Sequence, residues 1–337
     1  MVGDRICKQT NCDTRRFFMK IVILDADTLG GDVSFEKFEK INGVSSVVKY
    51  DTTPPELVAE RIADCDVIIL NKVKLGEANL CCAANLKLIC ITATGYDNVD
   101  TAYCGAHGIA VCNVVGYSSH SVAQVTAAAV LGLANHIGKY DRYVKDGSYT
   151  RGGVQNHLTP VYHELCGMTW GIIGLGGIGK EVAAIAKALG CRVIGFKRKP
   201  IDGFECVPLD RLMRESDIIT IHLPLSDETR GIVSRDMLSL AKKNAIIFNA
   251  ARGAVWDEAA AADAVLSGSI AALGADVYSE EPFGEGHPFT KLLSLDNVCL
   301  LPHMSWGAYE SRVRCLDEIV LNIKAFFDGK IRCRVDI

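Results

Sequence analysis

The chain has 337 residues, a length typical of about two domains. Hydrophobic residues make up 49% of it and charged residues 23%, which is the composition of a globular protein and excludes a disordered chain. Lys and Arg number 36 against 40 Asp and Glu, a net charge of −4, and no basic block favours a nucleic-acid partner. The most apolar stretch, residues 122–137, contains Gln124, Asn135 and His136 and is too polar and too short to span a membrane.

The 14 cysteines follow no disulfide or metal-binding pattern. They are scattered through apolar surroundings, and no pair has the C-x-x-C spacing of zinc and redox sites. We therefore expect small buried side chains in a reducing, cytoplasmic compartment, and no bound metal. Residues 1–18 carry several basic side chains but no apolar core, so they are predicted to be a polar tail rather than a secretory signal.

Short runs of β-branched and aliphatic residues alternate with helical patterns along the chain. In the first half they predict strands at 20–24, 44–50, 67–70, 86–91 and 109–112, and helices at 54–63 and 99–106. A long helix is predicted from Ser119 to about Lys145. A second series of strands follows at 169–173, 192–196, 217–222, 245–249, 272–277 and 298–301, before a final helix at 307–328. Repeated β-α-β order predicts an α/β fold with doubly wound parallel sheets.

A glycine-rich turn, GLGGIG at 174–179, follows one predicted strand and opens an amphipathic helix. This context favours the G-x-G-x-x-G turn of dinucleotide-binding proteins over an ordinary βα turn that happens to be rich in glycine. In such turns the first glycine permits the tight bend, the second lets the pyrophosphate approach, and the third allows helix–strand packing. The phosphates bind free N–H groups at the helix N-terminus. The cofactor-binding residues expected here are Gly174, Gly176, Gly177, Ile178 and Gly179.

The next predicted strand ends at Lys197, where many dinucleotide-binding domains have an acid that binds the ribose hydroxyls. Lys197 offers no acceptor and adds a positive charge, and Arg198 can form a bidentate contact with a phosphate. We therefore expect both residues to contact the cofactor and NADP(H) to be favoured over NAD(H). If both side chains point to solvent instead, the two cofactors would work with little preference.

Three charged residues follow three neighbouring strands of the second series. Arg252, Glu281 and His303 come after the strands at 245–249, 272–277 and 298–301, and ligands of doubly wound sheets bind beyond such strand ends. Hydride transfer to a 2-keto acid needs an imidazole that gives a proton, a carboxylate that holds the imidazole and a guanidinium that binds the substrate. Each residue alone is more often structural. Their joint arrival beside a dinucleotide turn favours a catalytic set.

Several further motifs resemble the D-isomer-specific 2-hydroxyacid dehydrogenase family over residues 19–337. They are TGYDNVD at 94–100, HLPL at 222–225, NAARG at 249–253, GADV at 274–277 followed by Glu281-Pro282, and PHMSW at 302–306. The last of them looks most like the glycerate dehydrogenase or hydroxypyruvate reductase branch. The resemblance implies a Rossmann-type cofactor domain, 118–304, inserted into a flavodoxin-like substrate domain, 19–117 and 305–337.

The resemblance also implies roles for individual residues. Arg252 would anchor the substrate, His303 would act as acid and base, and Glu281 would be its partner. The backbone amides of Thr94 and Gly95 would receive the substrate carboxylate, and Asp276 would contact the nicotinamide carboxamide. Leu223, Pro224 and Ala250 are further expected cofactor contacts. Lys72, just after the strand at 67–70, is either an additional substrate-binding residue or a solvated lysine.

Two functions remain open on the sequence. One is a reductase of small 2-keto acids, glyoxylate or hydroxypyruvate first, which the resemblance implies to be a homodimer with the helix from Ser119 at its interface. The other is a dinucleotide-sensing binding protein resembling the transcriptional corepressors of the family, which keep the same Arg, Glu and His. The corepressors carry long extra tails, whereas this sequence stops at Ile337, so the enzyme is favoured.

Overall fold

The computed structural model describes residues 18–337, which divide into two compact units. The first unit contains the residues up to Val115 together with Val313–Ile337, and the second contains Gly116–Arg312. Residues 1–17 of the predicted tail lie outside the described residues. The chain returns from the second unit to the first between Arg312 and Val313, later than the predicted boundary between residues 304 and 305. The reason is that Ser121 Oγ donates to the carbonyl of Ser305 and accepts the N–H of Ala308, which keeps this segment with the second unit.

The first unit is built on a five-stranded sheet in which every pairing is parallel. Its strands are β1 (Met19–Ile23), β2 (Val44–Lys49), β3 (Val67–Leu70), β4 (Leu88–Ile91) and β5 (Ala110–Cys112). Their order, β2-β1-β3-β4-β5, is that of flavodoxin-like sheets. The helices α1 (Val58–Ile62), α2 (Glu77–Leu80) and α3 (Thr101–Ala106) connect them, with 3-10 helices at Ala26–Leu29 and Pro55–Leu57.

The central strands of this sheet are apolar at every position. All residues of β3 and β4 are buried, because a parallel sheet covered by helices on both faces has no solvent side. The edge strand β5 is covered by the C-terminal segment of the same unit. There Val335 donates its N–H to Val111, whose own N–H bonds to Asp336. This contact assigns the end of the chain to the first unit.

The second unit is built on a seven-stranded sheet that is also parallel throughout. Its strands are β6 (Thr169–Ile173), β7 (Arg192–Phe196), β8 (Glu205–Cys206), β9 (Ile218–Ile221), β10 (Ile246–Asn249), β11 (Ala272–Ala275) and β12 (Val298–Leu300). The order β12-β11-β10-β9-β6-β7-β8 is the Rossmann order extended by one strand. Two parallel sheets with helices confirm the predicted α/β fold.

Eight helices follow β5 in the chain. They are α4 (Ser119–Ala134), α5 (Ile137–Lys145), α6 (Ser148–Gly152), α7 (Gly177–Ala188), α8 (Leu209–Glu215), α9 (Arg235–Ser239), α10 (Glu258–Leu266) and α11 (Tyr309–Phe327), with 3-10 helices at Gly253–Val255 and Pro288–Leu292. The predicted single helix from Ser119 to Lys145 was wrong. His136 has a φ of 51°, in the left-handed region, and a residue in that conformation cannot continue a right-handed helix.

One row of paired residues marks the carboxyl edge of the seven-stranded sheet. The register aligns Phe196, Ile173, Ile221, Asn249, Ala275 and Leu300 across six neighbouring strands. The predicted site residues of this unit begin directly after members of this row. Their common position follows from the register of the sheet.

Cysteine pairing, metal-type clusters and membrane-length helices are features of residues 18–337 as a whole. The 12 cysteines among them are all free. No three of their His, Cys, Asp or Glu side chains are grouped as a metal ion would require. Between residues 18 and 337, no helix combines the length and the hydrophobicity that a bilayer crossing requires.

Candidate functional site

The glycine-rich turn joins β6 to α7. Two of its glycines are packed closely against other backbone atoms, and a third faces open space. Gly174 has a φ of 103°, and a Cβ there would lie 2.8 Å from the carbonyl group of His222. A Cβ at Gly179 would lie 2.1 Å from the carbonyl oxygen of Gly174. Gly176 is exposed, and a Cβ there would meet no atom within 4 Å outside its chain neighbours. The turn therefore fits a pyrophosphate bound against the first N–H groups of α7.

The other two residues of the turn differ in their surroundings. Gly177 is exposed, and a Cβ there would lie 3.1 Å from Ser119 Oγ. Ile178 is half-buried and packs against the apolar core between α7 and the sheet. Gly177 thus offers backbone to a ligand, while Ile178 anchors the helix.

Lys197 and Arg198 follow β7 directly, at the point where the sequence predicts the adenosine ribose. Lys197 Nζ donates to the carbonyl oxygen of Leu175 at 3.1 Å, so this ammonium lies against the glycine-rich turn. Arg198 is exposed, and its guanidinium lies 2.6 Å from a carboxylate oxygen of Glu228. One of the two expected cations is therefore held at the turn, and the other has an acidic partner.

The ends of β9 and β10 carry the remaining expected cofactor contacts. Leu223 is half-buried and Pro224 is exposed after β9, and Ala250 is half-buried after β10. His222, which directly follows β9, is buried, and within the described residues neither of its ring nitrogens has a hydrogen-bond partner. This burial lowers the pKa of His222 to about 3, so the ring is neutral. It is the backbone of this residue that lies beside Gly174 of the turn.

His303 and Glu281 form a hydrogen-bonded pair. His303 Nδ1 lies 2.6 Å from Glu281 Oε2, with side-chain exposures of 20% and 27%. A carboxylate only accepts hydrogen bonds, so the proton lies on Nδ1, and Nε2 is the nitrogen left to exchange a proton with a substrate. Glu281 Oε1 accepts the N–H of Tyr278 at 3.0 Å, which fixes the carboxylate on its other side. The structure therefore brings together the predicted acid/base residue and its predicted partner.

Asp276 has a contact that the sequence did not predict. Its two carboxylate oxygens accept the N–H groups of Met304 and Ser305, at 2.8 and 3.0 Å. Asp276 is 2% exposed, and these bonds fix the chain immediately after His303, whose φ is 53°. Its expected contact with a nicotinamide stays a prediction. The bonds observed assign it a role in shaping the His303 segment.

Arg252 follows β10 on a loop held by the last residue of that strand. Asn249 is fully buried, accepts the N–H of Ala251 at 2.9 Å and donates to the carbonyl of Arg252 at 3.0 Å. Arg252 is half-buried, and its Nη1 donates to the carbonyl of Ala251. Since β10, β11 and β12 are neighbours in register, Arg252, Glu281 and His303 follow adjacent strand ends of one sheet.

The expected substrate residues of the first unit follow β3 and β4, which are also adjacent. Thr94 is exposed; its Oγ1 donates to the carbonyl of Val114, and its own carbonyl accepts from Asn113. Gly95 is half-buried and Lys72 is exposed. The N–H of Lys72 donates to Asp25, a buried carboxylate that also accepts the N–H groups of the two residues on either side. Burial raises the pKa of Asp25, while these backbone bonds act to lower it.

Sequence reasoning missed three residues around the predicted set. Asn249, Glu258 and Tyr278 are each hydrogen-bonded to the loops that carry Arg252 and Glu281. Asn249 opens the NAARG motif, and Glu258 follows that motif at the start of the next helix, so both positions were visible in the sequence. The contacts of Glu258 were not visible, because its partners lie more than 20 residues further along the chain.

Comparison with known proteins identifies the family. A model described as "D-isomer specific 2-hydroxyacid dehydrogenase, NAD binding domain" matches residues 127–305. A glycerate dehydrogenase of Methylorubrum extorquens is 33% identical over 312 residues, which cover 92% of this chain and 97% of that protein. A hydroxypyruvate reductase of Blautia hydrogenotrophica is 34% identical over 317 residues, covering 92% and 98%.

A solved structure shows the same similarity in three dimensions. The NADPH-dependent glyoxylate/hydroxypyruvate reductase of Sinorhizobium meliloti, in complex with NADP and malonate, matches with a TM-score of 0.81 at 27% identity, covering 94% of this chain and 96% of that one. The chain therefore belongs to the D-isomer-specific 2-hydroxyacid dehydrogenase family, a family of oxidoreductases. Its similarity to glycerate dehydrogenase and hydroxypyruvate reductase confirms the family and branch predicted from the sequence.

Proposed function

We propose that the protein reduces a small 2-keto acid, glyoxylate or hydroxypyruvate first, to the D-2-hydroxy acid with a nicotinamide cofactor. The observation that carries the proposal is the hydrogen bond of 2.6 Å between His303 Nδ1 and Glu281 Oε2. Both residues follow strands of the sheet whose strand β6 leads into the dinucleotide-type turn. The relatives named glycerate dehydrogenase and hydroxypyruvate reductase support this substrate class.

Each residue of the set has a distinct role in this reaction. A reduced nicotinamide dinucleotide, whose pyrophosphate would bind at the turn at 174–179, would supply the hydride. His303 donates the proton that the substrate oxygen needs as it becomes a hydroxyl group, and Glu281 stabilises the charged imidazolium before that transfer. Arg252 anchors the substrate carboxylate through its planar guanidinium. Thr94 and Gly95, with their backbone N–H groups, and Lys72 are the proposed substrate contacts of the first unit.

The cofactor proposed is NADP(H) in preference to NAD(H). Lys197 stands where an acid would bind the ribose hydroxyls, and its ammonium lies at the glycine-rich turn. The relative of known structure from Sinorhizobium meliloti binds NADP, which supports the preference. The remaining proposed contacts, Leu223, Pro224, Ala250 and Asp276, are independent of this choice.

We also propose that the protein is a homodimer in the cytoplasm. The apolar side of α4, the first part of the helix expected at the interface, packs against α7 and the sheet of its own unit. Exposed apolar side chains lie just beyond it instead, at Ile137, Val144, Val154, Leu158, Val161 and Tyr162. Exposed apolar side chains gathered in one stretch of the chain, residues 137–162, support this proposal of contact with a second copy. The 12 free cysteines of the described residues favour a reducing compartment.

The test is oxidation of NADPH and of NADH with a panel of 2-keto acids, followed by chiral analysis of the product. The expected result is turnover of glyoxylate or hydroxypyruvate, with D-glycerate formed from the latter. Binding of the cofactor without turnover of any 2-keto acid would overturn the proposal and favour a dinucleotide-sensing protein of the corepressor type.

A further inference from the structure

Glu258 is a buried carboxylate beside the candidate catalytic loops. It is the first residue of α10 and is 8% exposed. Its Oε1 accepts the N–H of Ser279 at 2.9 Å, and its Oε2 accepts from the hydroxyl of Ser279 and lies 3.0 Å from His287 Nε2. The proposed reaction uses none of these three side chains.

The hydrogen bonds of His287 fix which nitrogen carries its proton. Its Nδ1 accepts the N–H of Phe289 at 3.2 Å, so Nδ1 carries no proton. Nε2 therefore carries the proton and donates it to Glu258. The carboxylate receives three donors in a buried place, and replacing it would leave those donors unsatisfied. This arrangement gives Ser279 one fixed position.

Ser279 belongs to the 278–281 segment, which contains Glu281 and is hydrogen-bonded to the chain just before His303. The N–H of Tyr278 donates to Glu281 Oε1 at 3.0 Å. The hydroxyl of the same tyrosine donates to the carbonyl of Leu301 at 2.8 Å, two residues before His303. A shift of this segment would therefore move Glu281 relative to His303.

The same segment packs against the loop that carries Arg252. A Cβ at Gly253 would lie 2.0 Å from the backbone nitrogen of Ser279, so the two loops touch through their backbones. Glu258 begins α10, shortly after the 3-10 helix at Gly253–Val255, and accepts the N–H of Ser279. It thus joins the loop after β10 to the loop after β11.

We propose that Glu258, together with Ser279 and His287, is a positioning residue that sets the geometry of the His303–Glu281 pair. The inference rests on the proposed function, in which that pair transfers the proton. Glu258 acts through the 278–281 segment and not on the substrate. A small displacement of a reacting group lowers the rate strongly, so the expected effect falls on kcat.

The test uses Glu258→Gln, Ser279→Ala and a matched control, Asp257→Ala. Asp257 caps the same helix by accepting the N–H of Ala260, and within residues 18–337 its side chain makes no hydrogen bond to the 278–281 segment. The readouts are kcat and KM for the keto acid and the cofactor, and the titration midpoint of the His303 ring by NMR of histidine-labelled protein. Asp276 and Tyr278, which are titratable and bond to the 301–305 segment, are unchanged in every variant.

We expect Glu258→Gln to lower kcat about 10- to 100-fold with little change in the KM for cofactor. We also expect it to move the His303 midpoint towards that of Glu281→Gln. Ser279→Ala keeps the backbone bond and should show a smaller change of the same kind. Asp257→Ala should lower only the Tm. Wild-type kcat and midpoint in Ser279→Ala and Glu258→Gln, or the same losses in Asp257→Ala, would overturn the inference.

Failure of the proposed function has a different signature. It appears as a wild-type protein that turns over no keto acid, whatever the variants do. In that case the titration midpoint of His303, which is measured without turnover, is the readout that tests the positioning role of Glu258. If Glu258→Gln does not fold, Ser279→Ala decides in its place.

Discussion

The ammonium of Lys197 donates a hydrogen bond to the carbonyl oxygen of Leu175, so the residue that follows β7 is tied to the glycine-rich turn. Where an acid stands at this point, it accepts bonds from the ribose hydroxyls and repels a 2′-phosphate. Lys197 has no acceptor for the ribose hydroxyls and would attract a 2′-phosphate. The proposed choice of NADP(H) therefore rests on one side chain whose ammonium is hydrogen-bonded to the turn.

We expect wild-type protein to prefer NADPH and Lys197→Asp to lose that preference. A hydrogen bond to a charged group contributes roughly 1.5–3 kcal/mol, which corresponds to a preference of about 10- to 150-fold. The measurement is kcat/KM for NADPH and NADH in both proteins. A wild-type preference for NADH that the substitution leaves unchanged would contradict the proposal.

Glu228 provides an opposite test of the same charge effect. Its carboxylate pairs with Arg198 at the protein surface, where it would compete with the 2′-phosphate of NADP(H) for the guanidinium. Glu228→Gln should therefore raise kcat/KM for NADPH about two- to fivefold, the range of a surface ion pair, and leave NADH unaffected. An equal change with both cofactors would show that Arg198 does not contact the phosphate.

His303→Ala should lower kcat by about 10²- to 10⁴-fold, the usual contribution of a positioned proton donor. Cofactor binding, measured by fluorescence titration, should stay close to that of the wild type. The matched control is His163→Ala, which removes an exposed histidine of the same unit. Turnover near the wild-type rate in His303→Ala would rule out the assignment.

Arg252→Lys should raise the KM for the keto acid and lower kcat. Lysine keeps the charge but lacks the planar arrangement of donors that binds a carboxylate in two places. Arg235→Lys, at an exposed ion pair with Asp263, is the control for a general effect of the exchange. Steady-state kinetics that are unchanged in Arg252→Lys would mean that Arg252 has a structural role only.

Glu281→Gln should move the pH optimum for reduction to lower pH. The carboxylate that accepts from His303 Nδ1 stabilises the charged imidazole, and an amide stabilises it less. A more acidic solution is then needed to keep the proton donor charged. The pH dependence of kcat for both proteins measures the shift, and coincident profiles would exclude a role for the pair in proton transfer.

His222 should make folding stability depend on pH. Its pKa is about 3 in the folded protein, whereas histidine in an unfolded chain titrates near 6.5. Between these values the unfolded chain binds the additional proton, so the free energy of unfolding decreases as the pH falls through this window. At pH 5 the decrease from this residue is about 2 kcal/mol.

His222→Phe removes the titrating ring from the same buried place. Urea unfolding at pH 7 and pH 5 should show a smaller decrease in the variant than in the wild type, by about the same 2 kcal/mol. Carboxylates that lose stability in acid do so in both proteins and cancel in the comparison. The exposed His163→Phe should leave the pH dependence unchanged. Identical curves for His222→Phe and wild type would contradict the prediction.

The sequence predicted most of the strands because buried parallel strands are runs of apolar residues. The run at 67–70 coincides with β3. It did not predict the helix break at His136, since no glycine or proline stands at this position or directly beside it, nor the two-residue strand β8. The glycine-rich turn was visible because its spacing is local.

Contacts between distant residues were the part that the sequence did not reveal. It predicted an acid near His303 but not that Asp276 would bond to Met304 and Ser305. Lys197 was recognised by its charge, while its bond to Leu175 depends on how the turn folds. A residue type indicates what a side chain can donate or accept, and only the packed structure determines its partner.

The row of paired residues at the sheet edge has a consequence for how the active state is reached. Its members come from six strands joined by crossover connections, so neighbouring groups at this edge are distant in the sequence. Pairing of such strands orders long segments of chain, so it is slow compared with the formation of local contacts. Incomplete pairing of these strands would displace His303 or Arg252. On the proposed function, we therefore expect mild denaturation to abolish turnover before it lowers the helix content.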